Sequence, residues 1–168
     1  MSVGYTCRTC GEFHTGVPLC YGAEAPIHWG AIPEAERSQR AELSSDQCVI
    51  DDEYFFILGR LEIPIRDNDE PFCWLVWVSV SEPNFMRACE LWEAPGRENE
   101  PPYFGWLSTP VPGYPDTVNL KTHVHTRPVG NRPFIELEPT DHPLAVEQQN
   151  GITMQRVFEI AEYIEHSY

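Results

Sequence analysis

The stretch Phe72-Cys73-Trp74-Leu75-Val76-Trp77-Val78-Ser79-Val80 is the longest apolar run in the chain and decides the fold. It has the length of a β-strand and is far too short to span a membrane. Apolar residues occupy both its odd and its even positions, so both faces of a strand formed here would be apolar. Such strands lie in the middle of a sheet that is covered on both sides. We therefore predict a central strand over residues 72–80.

The segments around this strand carry weaker periodic patterns. Residues 60–65 alternate between apolar and polar, as a strand with one buried face does. Ser81 has the side chain of a helix N-cap, and the apolar residues after it follow a helical period as far as Trp92. Further strands are predicted at 103–107, 118–126 and 134–137, and a C-terminal helix at 153–165 with a core stripe of Val157, Ile160, Ala161 and Ile164.

A second signal lies near the N-terminus, in Cys7-Arg8-Thr9-Cys10-Gly11-Glu12-Phe13-His14. Thiolates and imidazoles are the usual ligands of structural zinc, which takes four of them at the corners of a tetrahedron. Cys7, Cys10 and His14 supply three, and either the nearby Cys20 or the distant Cys48 would supply the fourth. With four protein ligands no position stays open for a substrate, so the predicted Zn²⁺ is structural.

Two other uses of this cysteine pair fit the sequence less well. A redox pair needs a helix directly after it, and glycine and proline surround this one. A disulfide needs an oxidising compartment, and the chain has no basic head followed by an apolar run that would act as an export signal. We therefore expect a cytoplasmic protein with reduced thiols and a metal site.

The length of 168 residues suits one domain with a small N-terminal addition. We predict a zinc-binding knuckle and covering segment over residues 1–30 and a domain over residues 31–168, folded together as one unit. The predicted class is α+β: a mixed, mostly antiparallel sheet with two or three helices and an N-terminal zinc-knuckle-like segment.

The net charge of the chain limits the kinds of partner it can bind. The chain has 26 acidic and 11 basic residues and a net charge of −15, which argues against nucleic acid as a partner because phosphate binding needs a basic surface. An acidic surface favours solubility, and it also suits a basic protein partner. Nothing in the sequence indicates a membrane partner or fixes the oligomeric state.

A possible catalytic group lies in the second half of the chain. His123 and His125 share one face of the predicted strand, and Asp141 and His142 follow in a turn. With Arg127, Arg132 and neighbouring acids they could form a polar cleft for metal-assisted hydrolysis. The simpler interpretation, which we favour, is a solvent-facing strand and a turn held by its own side chains. The common catalytic motifs are missing from the sequence.

Several stretches resemble a family of uncharacterised bacterial proteins, domain of unknown function 2199. They are residues 45–51, 102–107, 114–117 and 136–145. The resemblance runs from Cys7 to about Ile160 and implies no activity, because none is established for the family. It implies that Cys48 matches a cysteine of the family pattern while the position of Cys20 is often serine, which favours Cys48 as the fourth zinc ligand.

Two functions from different classes remain. The first is a non-enzymatic binding or interaction module with zinc at its N-terminus, such as an acidic immunity-type inhibitor of a basic toxin. The alternative is a metal-assisted hydrolase that uses His123, His125, Asp141 and His142. The two differ in whether these four side chains converge on a pocket.

Overall fold

The computed structural model describes residues 4–6 and 13–166. Its strands are β1 (Gly4–Thr6), β2 (Phe13–Thr15), β3 (Cys20–Gly22), β4 (Ala41–Leu43), β5 (Gln47–Ile50), β6 (Tyr54–Ile63), β7 (Phe72–Val80), β8 (Tyr103–Leu107), β9 (Lys121–His125) and β10 (Phe134–Leu137). Its α-helices are α1 (Ile27–Gly30), α2 (Arg37–Arg40), α3 (Glu82–Glu90), α4 (Pro143–Asn150) and α5 (Met154–His166), with 3-10 turns at Glu34–Glu36 and Arg97–Asn99.

Five consecutive strands, β6 to β10, close into a barrel. Each pairs antiparallel with the next along the chain, and β10 then pairs with β6. Successive strands of a meander alternate in direction, so the first and the fifth run the same way and their pairing has to be parallel. The register confirms this, with Phe134 opposite Arg60 in a parallel pair.

The closing seam depends on a residue without a side chain. A Cβ built on Gly59 would lie 2.5 Å from both Cγ1 and Cδ1 of Ile135 and 3.0 Å from the carbonyl oxygen of Pro133. The next residue, Arg60, donates its backbone N–H to the same Pro133 oxygen at 2.8 Å. Glycine at position 59 therefore lets β10 come close enough to β6 to complete the barrel.

The two longest strands each serve several partners. The first half of β6 pairs with β5, which pairs with β4, while Arg60 in its second half pairs with β10. Likewise β7 pairs along its whole length with β6, with β3 at residues 73–75 and with β8 at residues 78–80. The short strands thus extend the sheet beyond the barrel on both sides.

Apolar side chains are buried on both faces of the central strands. The larger cluster includes the alternate β7 residues Phe72, Trp74, Val76 and Val78, against which Val157 and Ile160 of α5 also pack. A smaller cluster on the opposite face joins Trp77 to Cys48 and Ile32. The prediction of a central strand covered on both sides is confirmed, because β7 spans Phe72–Val80 and is almost entirely buried.

The predicted fold class is wrong. In place of an α+β fold with two or three helices, the described residues form a closed five-stranded barrel within an eight-stranded sheet, and five short α-helices flank it. Periodicity finds individual strands, but it carries no information on the pairing of β6 with β10. No zinc site is seen among the described residues either. Residues 4–6 and 13–15 of the predicted zinc-knuckle-like segment form a two-stranded antiparallel sheet, and Cys7 and Cys10 lie outside the described residues.

Several predictions of single helices and strands are confirmed, and others are wrong in part. Ser81 caps α3 by accepting a hydrogen bond from the backbone N–H of Asn84, and α5 lies where it was expected. The helical face predicted after Ser81 is buried only in part, because Trp92 is 46% exposed. The predicted strand over 118–126 is shorter, since Asn119 has a positive φ of 73° and β9 begins at Lys121. Within residues 4–6 and 13–166, no helix is long and apolar enough to cross a membrane.

Candidate functional site

A cavity of about 700 Å³ opens at one mouth of the barrel. Its walls are the C-terminal end of α3, strand β6, and the loop that leads from β9 to β10. The apolar part of its lining includes Ile57, Leu58, Ala88, Leu91, Val124 and Val129, together with the rings of Trp92, Tyr103 and Pro133. Barrel mouths are common sites for small ligands, and this volume falls in the usual range.

The polar lining is unusually basic for this chain. Four of the protein's 11 basic residues line the cavity, against the two acidic lining residues Asp46 and Glu93. The four are Arg60, Arg97, Arg127 and Arg132. In a chain with 26 acidic residues, this is a local reversal of the overall charge.

Two of these arginines share one carboxylate. Arg127 forms a bidentate pair with Glu62, with distances of 2.7 Å and 3.1 Å, and Nε of Arg60 donates to the same carboxylate at 2.8 Å. The hydrogen bonds from Arg127 hold the pKa of Glu62 below its usual value, and Arg60 adds to this effect while burial opposes it. Glu62 is therefore ionised at neutral pH and balances only one of its two partners.

The other two arginines differ from each other. Nε of Arg132 donates to Asp46 at 2.8 Å. Arg97 donates instead to four backbone carbonyls, those of Trp92, Arg127, Pro128 and Asn131. It therefore fastens the β9–β10 loop to the end of the α3 segment and brings a positive charge that no described carboxylate pairs with.

A second surface is the outer face of strands β8, β9 and β10. Phe104 and Trp106 are 39% and 42% exposed there, with ring centroids 5.0 Å apart and planes at 90°. The His123 ring lies 6.2 Å from that of Phe104. Glu136 and Glu138 of the β10 segment lie next to the histidines of β9 on this surface. We call this surface the aromatic face.

The histidines and aspartate predicted as a catalytic group lie in two separate places. His123 and His125 are on the aromatic face, where their Nε2 atoms lie 3.1 Å from Glu138 and 3.0 Å from Glu136. His142 caps α4: its Nδ1 accepts the backbone N–H of Leu144, and its Nε2 lies near the carbonyls of residues 115 and 116. Asp141 is exposed in the preceding turn. None of the four lines the barrel-mouth cavity.

The candidate metal ligands can be placed only in part. Cys7 and Cys10 lie outside the described residues, and for His14 the backbone alone is placed, in β2 opposite Tyr5. Cys48 is 1% exposed among apolar side chains, and burial raises the pKa of its thiol to about 11. Cys20 is half-buried and stands opposite Cys73 in the β3–β7 pair, with their thiols in contact.

Among the part of the chain that is described, no group of three or more His, Cys, Asp or Glu side chains is arranged to hold a metal ion. The four described cysteines, Cys20, Cys48, Cys73 and Cys89, are free thiols. Zinc binds the thiolate form of cysteine. Burial and a raised pKa of the Cys48 thiol oppose formation of the thiolate, and the choice of Cys48 over Cys20 as fourth zinc ligand stays a prediction.

Sequence reasoning did not find the barrel-mouth cavity. The sequence predicts a role for Arg127 and Arg132 only beside the histidines, it places Arg60 in a strand, and no pattern marks Arg97. Their positions follow no motif, because they come from three separate segments. The sequence offers one indication, the small number of basic residues. In a chain with only 11 of them, each arginine is a candidate for a specific role.

Comparison with known proteins gives a family and no activity. A family model described as an uncharacterised protein conserved in bacteria matches residues 6–152, which is most of the chain. No curated protein and no solved structure matches.

Proposed function

The chain belongs to the bacterial family named domain of unknown function 2199, and on that premise we propose that it is a non-enzymatic interaction module that binds a basic protein partner in the cytoplasm. The observation that carries the proposal is the aromatic face, where two large rings stand exposed beside carboxylates. The described sheet leaves these rings on its outer side, where a partner can cover them.

The aromatic face has the composition of a protein-binding surface. Tryptophan and other aromatic residues are enriched among the side chains that contribute most to binding, because each buries a large area at a small entropy cost. Phe104 and Trp106 are packed edge to face, so their orientation is already fixed before a partner arrives. Preorganised anchors of this kind reduce the entropy lost on binding.

Charge indicates what the partner is. Glu136 and Glu138 outnumber Lys121 on the aromatic face, and the protein as a whole carries a net charge of −15. Such a field attracts a basic protein and speeds its association. An immunity-type inhibitor of a basic toxin is the specific form of this proposal.

We also propose that a structural zinc ion is part of this interaction module. Cys7, Cys10 and His14 would hold it, with Cys20 as the fourth ligand in preference to Cys48. The support is the chemistry of the ligands, the short distance in sequence from His14 to Cys20, and the burial of the Cys48 thiol. Elemental analysis of the purified protein, repeated on Cys20→Ser and on Cys48→Ser, tests both the metal and its fourth ligand. One zinc that is lost in Cys20→Ser and kept in Cys48→Ser is the expected result.

Affinity capture from the native bacterium tests the interaction. We expect the wild-type protein to retain a basic protein at low salt and to release it as salt rises. The double variant Phe104→Ser/Trp106→Ser should lose that protein, while Tyr54→Ser, which removes an exposed ring from β6, should keep it. If no basic protein is retained, or if the double variant retains it equally well, the proposal is wrong.

A further inference from the structure

We propose that the barrel-mouth cavity is a binding site for an organic carboxylate whose apolar body enters the barrel mouth. This inference is independent of the proposed function, because the cavity and the aromatic face use different residues. It starts from the concentration of arginines at one place in a strongly acidic protein.

The carboxylates of the protein do not use up the positive charge at this site. Arg60 and Arg127 share Glu62, and Arg132 is paired with Asp46. Arg97 donates its hydrogen bonds only to backbone carbonyls and lies over the Trp92 ring, so no described carboxylate pairs with it. Even when the lining residue Glu93 is counted, the cluster has one more positive charge than negative. A bound anion would balance it, and the surrounding low-polarity walls strengthen that interaction relative to water.

Unused hydrogen-bond donors point to where the anion would sit. Arg60 and Arg132 each use Nε for their carboxylate partner. Their terminal Nη groups make no hydrogen bond to the described residues, and both residues line the cavity. A guanidinium presents two parallel N–H groups along an edge, a geometry that matches the two oxygens of a carboxylate.

The remaining walls favour an apolar body over a bare ion. Ile57 and Val124 form a buried floor, and Leu91 closes the side formed by the α3 segment. A small inorganic anion would leave this floor uncovered. A ligand with a hydrocarbon or aromatic body would bury it and gain roughly 25 cal/mol for each Å² removed from water.

The site is also built in advance. Three hydrogen bonds from Arg97 hold the β9–β10 loop, and a fourth anchors Arg97 to the carbonyl of Trp92. The bidentate pair with Glu62 fixes Arg127. The ligand therefore does not have to order this wall when it binds. Pre-formed cavities with a few fixed polar groups are typical of small-molecule sites.

Calorimetric titration of the whole protein with decanoate, below its micelle concentration, tests the proposal. We expect one binding site. Decylammonium, which has the opposite charge, should not bind, and decanol should bind at least about tenfold more weakly because it lacks the charge-assisted hydrogen bonds. Acetate and inorganic phosphate should not bind measurably, because neither has an apolar body.

Variants locate the site. Arg60→Gln/Arg132→Gln should weaken decanoate binding by about tenfold or more, since glutamine can still bond to Glu62 and Asp46 but brings no charge. Arg87→Gln, which removes an exposed arginine of α3 outside the cavity, should bind normally, as should Phe104→Ser/Trp106→Ser. Equal binding of decanol and decanoate, or unchanged binding in a folded Arg60→Gln/Arg132→Gln protein, would overturn the inference.

Discussion

The closure of the barrel can be tested at Gly59. Alanine there would place a methyl carbon 2.5 Å from two side-chain atoms of Ile135, more than 1 Å inside the 3.5–4.0 Å at which carbons normally pack. Ile135 is fully buried and cannot move aside freely. Overpacking of this kind costs about 1–3 kcal/mol, and the reduced entropy of the unfolded chain returns only about 0.4–1 kcal/mol. The difference between these two effects predicts that Gly59→Ala lowers the free energy of unfolding by about 1–2 kcal/mol.

A double-mutant cycle separates this clash from other effects. Ile135→Ala alone should cost about 2–5 kcal/mol, because it leaves a cavity in the core. In Gly59→Ala/Ile135→Ala the new methyl group enters that space, so the double variant should be more stable than the sum of the single changes by about 1 kcal/mol or more. Urea denaturation followed by circular dichroism gives all four values. If the two effects simply add, or if Gly59→Ala is as stable as wild type, β10 does not lie against β6 as described.

Three further predictions concern pH, a buried hydrogen bond and the metal. Arg127 lowers the pKa of Glu62 in the folded protein. The stabilisation by the ionised carboxylate is therefore present above the unfolded pKa near 4.5, and it is lost as the pH falls through the lower folded pKa. Glu62→Gln should accordingly lose less stability than wild type between pH 7 and pH 3 in urea titrations. Thr109→Val should cost about 1–3 kcal/mol in the same assay, because it leaves the backbone N–H of Trp77 buried without its acceptor at 2.8 Å. A chelator should remove one zinc ion without changing the far-ultraviolet circular dichroism of the sheet, because the barrel has its own apolar core. Loss of the sheet signal would show that the metal supports the whole fold.

A helix or strand can be predicted from the sequence where its own residues carry the pattern. The apolar run of β7, the Ser81 cap and the stripe of α5 each depend on residues within a few positions of one another. In contrast, the sequence predicts only a tight turn or a helix start at residues 140–143, and it does not predict that α4 extends to Asn150. This helix begins with a proline after a histidine cap, and its apolar residues do not gather on one face, so no helical period is visible in the sequence.

Contacts between distant segments could not be predicted in this way. The barrel depends on a parallel pair between Arg60 and Phe134, and neither position differs in pattern from a strand in an open sheet. The same holds for Cys73, whose contact with Cys20 follows from the register of two strands. The cavity is the clearest case, since Arg60 and Arg132 become neighbours only because that seam closes.

The two proposed binding surfaces should respond to salt in opposite directions, and this follows from the charge of the whole protein. A basic partner is drawn to the aromatic face by a net charge of −15, so its association should slow as salt screens that attraction. An organic anion is repelled by the same field until it reaches the arginines of the cavity. Between about 0.01 M and 0.1 M salt the screening distance falls from about 30 Å to about 10 Å, which removes most of the long-range repulsion while the contact with Arg60 and Arg132 is screened less. Stopped-flow measurements should therefore show decanoate associating faster at the higher salt concentration. If its association instead slows like that of the basic partner, long-range attraction dominates at the cavity and our assignment of the local charge is wrong.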